Sequence, residues 1–437
     1  MPDLLFSTFP SISPSRSLPA IYTKEGTCIS YDQLAQEVAI YRKKLHVHPG
    51  SRVALCAESS LETLFFFLAL LELEATPCLL SPRLPFDSIQ ERLKLCRADF
   101  FLENASLRPL PKQPHSQTAQ ILLFTSASSG PAKLVVLSKE HFLHNVEGAI
   151  APLRLSSLSC YYLSVPLFHV SGLSILFRSL LASASLSLTL QPRVTHLSFV
   201  PTQLLRLLEN PIYLPHLQCI LLGGAPIPPA LLMKSLEKDL PIQTTYGMTE
   251  MASQITVSKT FQKGSPLHVG KPLPRREVRL LPSKEILVKG DCLCAGYEVD
   301  GILTSPFLEG GWFATKDLGA WSRDGHLEIL GRKDNLFISG GENIYPEEIE
   351  RHLYEMPSIL LAFVVPIPDP EFGQRPFAFL WTVSSFPLKQ ELDAHLLRFL
   401  PSFYLPVSYR PLPIEALHQG MKISRAFLRQ KALEAFN

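Results

Sequence analysis

The chain has 437 residues, 46% of them hydrophobic, and a formal charge of +2. Its length suggests about three domain-sized units with ample material for a core. The balanced charge gives no sign of a general nucleic-acid-binding face and leaves only a local patch open. Proline is frequent, at 38 residues, and is spread along the chain, which points to many turns and strand edges rather than a disordered tract. Eight cysteines are scattered, mostly within apolar runs, without a CxxC pair. They suit free thiols in a reducing compartment, so a cytoplasmic protein is expected. No signal peptide is expected from the N-terminus, and the greasiest windows, 63–71 and 173–190, are too short or too interrupted to span a bilayer.

Residues 1–26 read as an irregular lead-in. Ser30 caps a helix in which Leu34, Val38 and Tyr41 recur at helical spacing, and Gly50 closes that unit. A buried strand over 52–56, an apolar helix over 62–73, a strand over 76–80 and a helix over 85–96 follow. This alternation predicts an α/β fold with a parallel sheet. Apolar runs over 121–124 and 134–137 then flank the polar stretch Thr125-Ser-Ala-Ser-Ser-Gly-Pro-Ala-Lys133. Hydroxyls, loop amides and a lysine suit a polyphosphate, because all are donors or cations. The same residues also make an ordinary Ser-rich hairpin, and the spacing is not that of the Walker loop.

A helix over 139–149 and a strand over 161–165 lead to Pro166-Leu-Phe-His-Val-Ser-Gly172. His169 thus lies beyond a strand end, where open α/β sheets bind ligands, or else is a packed, hydrogen-bonded imidazole. A strand over 197–200 runs into a helix over 201–208 with Pro201 at its start. Gly223 and Gly224, after the next buried strand, either let a flat ring approach the backbone or make a plain tight turn. In Tyr246-Gly-Met-Thr-Glu250, Thr249 offers a hydroxyl to a phosphate oxygen and Glu250 a carboxylate to Mg²⁺, or the pair caps a helix. Short strands follow at 277–281, 285–289 and 325–330, and Asp317 after an aromatic turn is either a ribose acceptor or a surface turn residue. The charged and amide run 332–335 marks a domain boundary. Beyond it, helix 346–355, strands 360–366 and 376–383, helix 387–399, a short strand near 407–410 and helix 424–435 make a small α+β domain. Lys422 follows Gly420 and precedes a Ser424 cap; taken alone it is a solvated lysine.

The Ser-rich loop with Lys133, Tyr246-Gly-x-Thr249-Glu250, Trp312-x-x-Thr315-x-Asp317, Gly331-Arg332-x-Asp334 and Gly420-x-Lys422-x-x-Arg425 occur in this order over nearly the whole chain. Together they resemble the adenylate-forming superfamily of acyl-CoA synthetases, adenylation domains and luciferases. The resemblance implies an α/β fold with a large N-terminal domain over 1–331, built of several subdomains with mostly parallel sheets plus a small β subdomain. A hinge at 332–335, centred on Asp334, and a small mobile α+β C-terminal domain over 336–437 would complete it. The implied enzyme is an acid–thiol ligase that forms an acyl-adenylate from a small-molecule carboxylic acid and Mg·ATP. Coenzyme A then displaces AMP as co-substrate. No nucleic acid or membrane span is implied, and a homo-oligomer stays open.

Residue by residue, the resemblance assigns Thr125, Ser126, Ser128, Ser129 and Lys133 to the phosphates. It assigns Gly223, Gly224, Ala225 and Tyr246 to adenine, Thr249 to the α-phosphate, Glu250 to Mg²⁺, and Asp317 and Arg332 to the ribose. Lys422 would bridge acid and nucleotide in the first step only, and Gly340 and Gly341 would pass the pantetheine arm. His169, Ser171, Thr202, Gln203, Gly247 and Ser253 would line the acyl pocket, with His169 also counted among the catalytic residues. Arg206, one turn past Thr202, is the expected partner of a second carboxylate, or a solvent-facing arginine. Ala127, Ser129, Ala132 and Leu134 depart from the usual Gly, Thr, Pro and Gly, and Lys316 stands where a Gly is usual. An adenylase that loads a carrier protein and a non-catalytic nucleotide-binding relative are the competing readings.

Overall fold

Ser30 starts the first helix, Tyr31–Lys44, through a capping box with Gln33, and Asp32 in the first turn with three basic residues in the last suits the helix dipole. The apolar run after Ser60 forms the helix Leu61–Glu72, buried continuously from Thr63 to Leu70, as its lack of a polar face requires. The computed structural model describes residues 9, 16–103, 105–115, 121–125, 132–383, 385–418 and 423–436. Ser126, Ala127, Ser128, Ser129 and Lys422 lie outside the described residues.

The expected parallel pairing is present: Arg52–Cys56 lies between Thr76–Leu80 and Phe100–Glu103, and Ile121–Phe124 runs parallel to Thr76–Leu80. Ile121–Phe124 and Leu134–Leu137 form an antiparallel hairpin around the Ser-rich loop. Leu134–Leu137 also pairs with Gly296–Val299, a long-range partner that extends the sheet to eight strands among the described residues.

A second, nine-stranded sheet contains Cys160–Tyr162, His196–Phe199, Cys219–Gly223 and Ile242–Met248 as parallel strands, so their carboxyl ends share one edge. The lead-in is not irregular throughout. Pro19–Tyr22 is a strand parallel to Ser185–Ser187, because Ala20 and Ile21 find buried places there. One continuous core joins both large sheets with the helices Tyr31–Lys44, Leu61–Glu72, Lys139–Ile150 and Val170–Leu181.

The short strands Arg276–Leu280, Glu285–Gly290, Phe313–Trp321 and Leu327–Arg332 form a four-stranded antiparallel sheet. After it, Ile359–Asp369 and Gly373–Thr382 form a long antiparallel pair, joined in parallel by Tyr409–Pro411. This last sheet shows the period-two alternation of a strand covered on both faces. Ala362, Val364, Ala378 and Leu380 pack with Ile349, Leu353 and Leu392 of its own helices. Leu361, Val365, Phe377 and Phe379 belong to a cluster with Leu204, Leu205, Leu231 and Leu232 of the helices Pro201–Glu209 and Pro229–Glu237. Among the described residues, no helix is long and apolar enough to cross a membrane, and all eight cysteines are free thiols.

Candidate active site

Four motif segments leave the carboxyl ends of neighbouring parallel strands: Pro166–His169, Val200–Gln203, Gly223–Ala225 and Thr249–Glu250. In an open α/β sheet that edge is the ligand crevice. Gly223 is required there, because a Cβ would stand 2.5 Å from the Thr245 carbonyl oxygen of the adjacent strand. Gly247 is required for the same reason, with the Ser253 carbonyl oxygen 1.9 Å from where its Cβ would be. The close approach accompanies a register shift between Tyr246 and Gly247 that turns the chain into the 3₁₀ turn Thr249–Met251.

The turn buries Glu250. Its Oε1 accepts from the Tyr297 hydroxyl at 2.7 Å, and its backbone carbonyl accepts from Cys294 N at 2.7 Å. Among the described residues Glu250 has no ion pair, so a buried carboxylate stands without a protein cation. That is the donor set a single divalent cation carried by phosphates would fit, and no cluster of three or more ligating side chains competes for it among the described residues. Lys133, leaving the Ser-rich loop, sets its Nζ 4.7 Å from the centre of the Tyr297 ring. Thr125 closes the base of that loop, its N–H donating to the Lys133 carbonyl at 2.9 Å.

Asp317 is neither in a turn nor on the surface. It sits within Phe313–Trp321 and is buried, because the four-stranded sheet presses against the crevice. The Tyr246 hydroxyl donates to its Oδ2 at 2.7 Å and Arg332 Nη1 to its Oδ1 at 2.7 Å. Burial, and then the Asp317 charge, push the Tyr246 phenol well above its ordinary pKa, so it stays a donor. Lys316 has a left-handed backbone, φ 63°, which explains why glycine is usual at this place. Its Nζ lies 3.2 Å from both carboxylate oxygens of Asp334. Gly340 and Gly341 form the turn between Phe337–Ser339 and Glu342–Ile344.

On the acyl side, His169 caps the helix Val170–Leu181 and packs against Phe168, ring centres 4.4 Å apart, with Ser171 in the first turn. Thr202 is buried. Both ends of the Gln203 amide are engaged, Oε1 by Val200 N at 3.0 Å and Nε2 on the Ser164 carbonyl at 3.0 Å, so Gln203 shapes a wall. Ser253 is buried with φ 119°. Arg206 departs from expectation. It lies on the outer face of its helix, exposed, and donates to the Leu417 carbonyl rather than facing a buried pocket.

Two residues escaped the sequence reading. Tyr297 lies on a strand that pairs with the nearby Ile302–Thr304 and, more than 150 residues away, with Leu134–Leu137, a pairing no local pattern announces. Among the described residues Arg178, 1% exposed, donates to neutral acceptors, the Ser174 carbonyl at 3.0 Å and the Tyr161 hydroxyl at 3.1 Å. Tyr161 in turn meets Ser198 at 2.7 Å. The one visible cue to Arg178 was a charge inside an apolar helix.

The parallel-sheet crevice brings together residues expected of adenylate-forming enzymes, with Lys133 near the Tyr297 ring and Asp317 held by Tyr246. The chain belongs to the AMP-binding enzyme family, whose model matches residues 14–117 and 102–298. It is 36% identical over 430 residues to the 2-succinylbenzoate–CoA ligase of Haemophilus influenzae, covering 93% of each chain. With the Escherichia coli ligase of the same name it is 36% identical over 426 residues, covering 92% of this chain and 91% of the other. Among solved structures, a variant of Escherichia coli MenE with bound OSB-AMS superposes with a TM-score of 0.84 at 31% identity, covering 98% of both chains. The Bacillus subtilis o-succinylbenzoate CoA synthetase in complex with ATP and magnesium ion does so with a TM-score of 0.79 at 25% identity, covering 94% of this chain and 95% of the other.

Proposed function

We propose that this chain is an AMP-forming acid–CoA ligase that converts 2-succinylbenzoate to its CoA thioester in the cytoplasm, as a step of menaquinone biosynthesis. The observation that carries the chemistry is the buried Glu250 carboxylate, which has no ion pair among the described residues and shares Tyr297 with Lys133 at the carboxyl ends of a parallel sheet. The acid is inferred from relatives that share 36% of their residues over 93% of this chain.

In the first step an oxygen of the acid attacks the α-phosphorus, and the bond to pyrophosphate breaks. Thr249 donates to an α-phosphate oxygen, while the Lys133 ammonium offsets charge on the departing pyrophosphate and Thr125 donates to it. Glu250 is the residue that would hold Mg²⁺, which when bound would supply further charge neutralisation. Asp317, oriented by Tyr246 and Arg332, accepts from the ribose. In the second step the sulfur of coenzyme A attacks the acyl carbon, AMP leaves with the C–O electrons, and the thiol proton passes to solvent. A thiol of pKa about 8.5 is already a few per cent ionised at neutral pH, so this step needs no dedicated base. Residues 336–437 swing about Asp334 between the steps, bringing Lys422 in for the first and Gly340–Gly341 for the second.

The substrate's unreacted carboxylate needs a cation. With Arg206 turned to Leu417, Arg178 takes that place: a buried guanidinium with no acidic partner among the described residues, behind the wall of Tyr161, Ser198 and Gln203. The test is pyrophosphate exchange over a panel of carboxylic acids, followed by mass detection of the CoA product. Exchange and thioester formation with 2-succinylbenzoate are expected. Absence of acid-dependent exchange, or transfer to a carrier protein and none to coenzyme A, would overturn the reading.

A further inference from the structure

Glu250 and Lys133 carry opposite charges in one crevice, yet they make no ion pair among the described residues. What stands between them is Tyr297. Its hydroxyl holds Glu250 Oε1 at 2.7 Å, and its ring carries the Lys133 ammonium 4.7 Å from the centroid. Direct pairing would consume both groups before ATP arrives.

We propose that Tyr297 is a positioning residue for adenylation, a spacer that keeps the metal-binding carboxylate aimed and the phosphate-binding lysine free by satisfying each with a different part of one side chain. The proposal rests on the reading of Glu250 and Lys133 given above. Three features of the fold support it. The neighbouring Cys294 N–H fixes the Glu250 backbone at 2.7 Å, so the same segment holds both ends of that residue. Gly296–Val299 is locked in register on Leu134–Leu137, the strand that leaves Lys133, with Tyr297 opposite Val135. Glu298, on the other face of the strand, is buried against Arg52 at 2.5 Å, so the backbone that carries Tyr297 cannot twist away without unseating an ion pair.

Two variants separate the two contacts. Tyr297→Phe keeps the ring and removes the donor; Tyr297→Leu removes both. ATP binding is measured by calorimetry without any acid, so no turnover occurs, across a range of Mg²⁺ concentrations. For Tyr297→Phe the Mg²⁺ needed for half-maximal binding should rise by about tenfold, the size expected for one hydrogen bond to a charged group. Its ATP affinity at saturating Mg²⁺ should change by less than about twofold, because the contact beneath Lys133 survives. In Tyr297→Leu the affinity at saturating Mg²⁺ should fall by about tenfold as well, as Lys133 closes on Glu250. Conversion of preformed acyl-adenylate to thioester should be spared in Tyr297→Phe, which a general loss of structure would not allow. Wild-type ATP binding indifferent to Mg²⁺ would sink the assignment of Glu250 itself. A Mg²⁺-dependent wild type with an unchanged Tyr297→Phe, or equal loss of both half-reactions in that variant, would overturn the spacer role alone. If Tyr297→Leu does not fold, Tyr297→Phe decides.

Discussion

Both crevice carboxylates are held by tyrosines at 2.7 Å, Asp317 by Tyr246 and Glu250 by Tyr297. A phenol beside a carboxylate in a buried place keeps its proton, so each tyrosine aims an acceptor without competing for its charge. Histidine is used differently. His196 is fully buried, with Nε2 2.8 Å from the Leu153 carbonyl and Nδ1 2.7 Å from Thr195 Oγ1, and burial pushes its pKa down to about 4. The unfolded chain takes up this proton near pH 6.5, whereas the folded chain resists until about 4. Stability contributed by the neutral ring is therefore complete above pH 6.5 and is lost as pH falls toward 4, by about 3 kcal/mol at most. Urea unfolding at pH 7.5 and 5 should show this: His196→Gln should be less stable than wild type at pH 7.5 but should lose less between the two pH values. An unchanged pH slope would contradict the assignment. Lys422, which the resemblance makes central, is a residue whose chemistry was read from its motif alone.

At the scale of elements, one strand joins the crevice to the core. Successive side chains of Gly296–Val299 point to opposite faces, so Tyr297 serves Glu250 while Glu298 meets Arg52 through two contacts of 2.5 and 2.6 Å. Both partners of that pair are buried. Removing one charge strands the other, so Arg52→Met should cost roughly 3–5 kcal/mol, whereas the double change with Glu298→Leu should recover most of the loss. Denaturant unfolding of the two singles and the double measures this coupling, and additive losses would mean that the ion pair is not what ties the strand down. The sequence announced Leu134–Leu137 as a strand but not this neighbour. Gly296–Val299 is four residues long, and its pairing depends on a partner that local propensity does not encode.

At the scale of the molecule, the C-terminal sheet is covered by its own helices on both faces, Pro346–Leu353 and Lys389–Leu396 on one and Arg425–Phe436 on the other, where the helices Pro201–Glu209 and Pro229–Glu237 join the same apolar cluster. Arg206 adds a polar contact to the second face through the Leu417 carbonyl, a few residues before Lys422. On the proposed reading the C-terminal domain swings between the half-reactions, so this contact belongs to one of them only, and Arg206→Ala should slow that one by about fivefold, the worth of about one hydrogen bond, and spare the other. Equal loss in both half-reactions would instead place Arg206 in substrate binding.

The amino-acid sequence by itself determined the alternation of the main helices and strands, the parallel α/β class and the family, because helix caps, apolar periodicity and motif order are local properties of the chain. The Ser30 cap and the apolar run ending at Gly223 needed no tertiary knowledge. Which charges remain free was decided only by folding. Asp317 became a buried acceptor inside a strand, Arg206 turned to another element, Arg178 came against the Tyr161 hydroxyl, and Tyr297 came to contact both Glu250 and Lys133. Charge pairing depends on distance and burial between segments far apart in the chain, and those are set by how sheets pack, not by the order of residues along a strand.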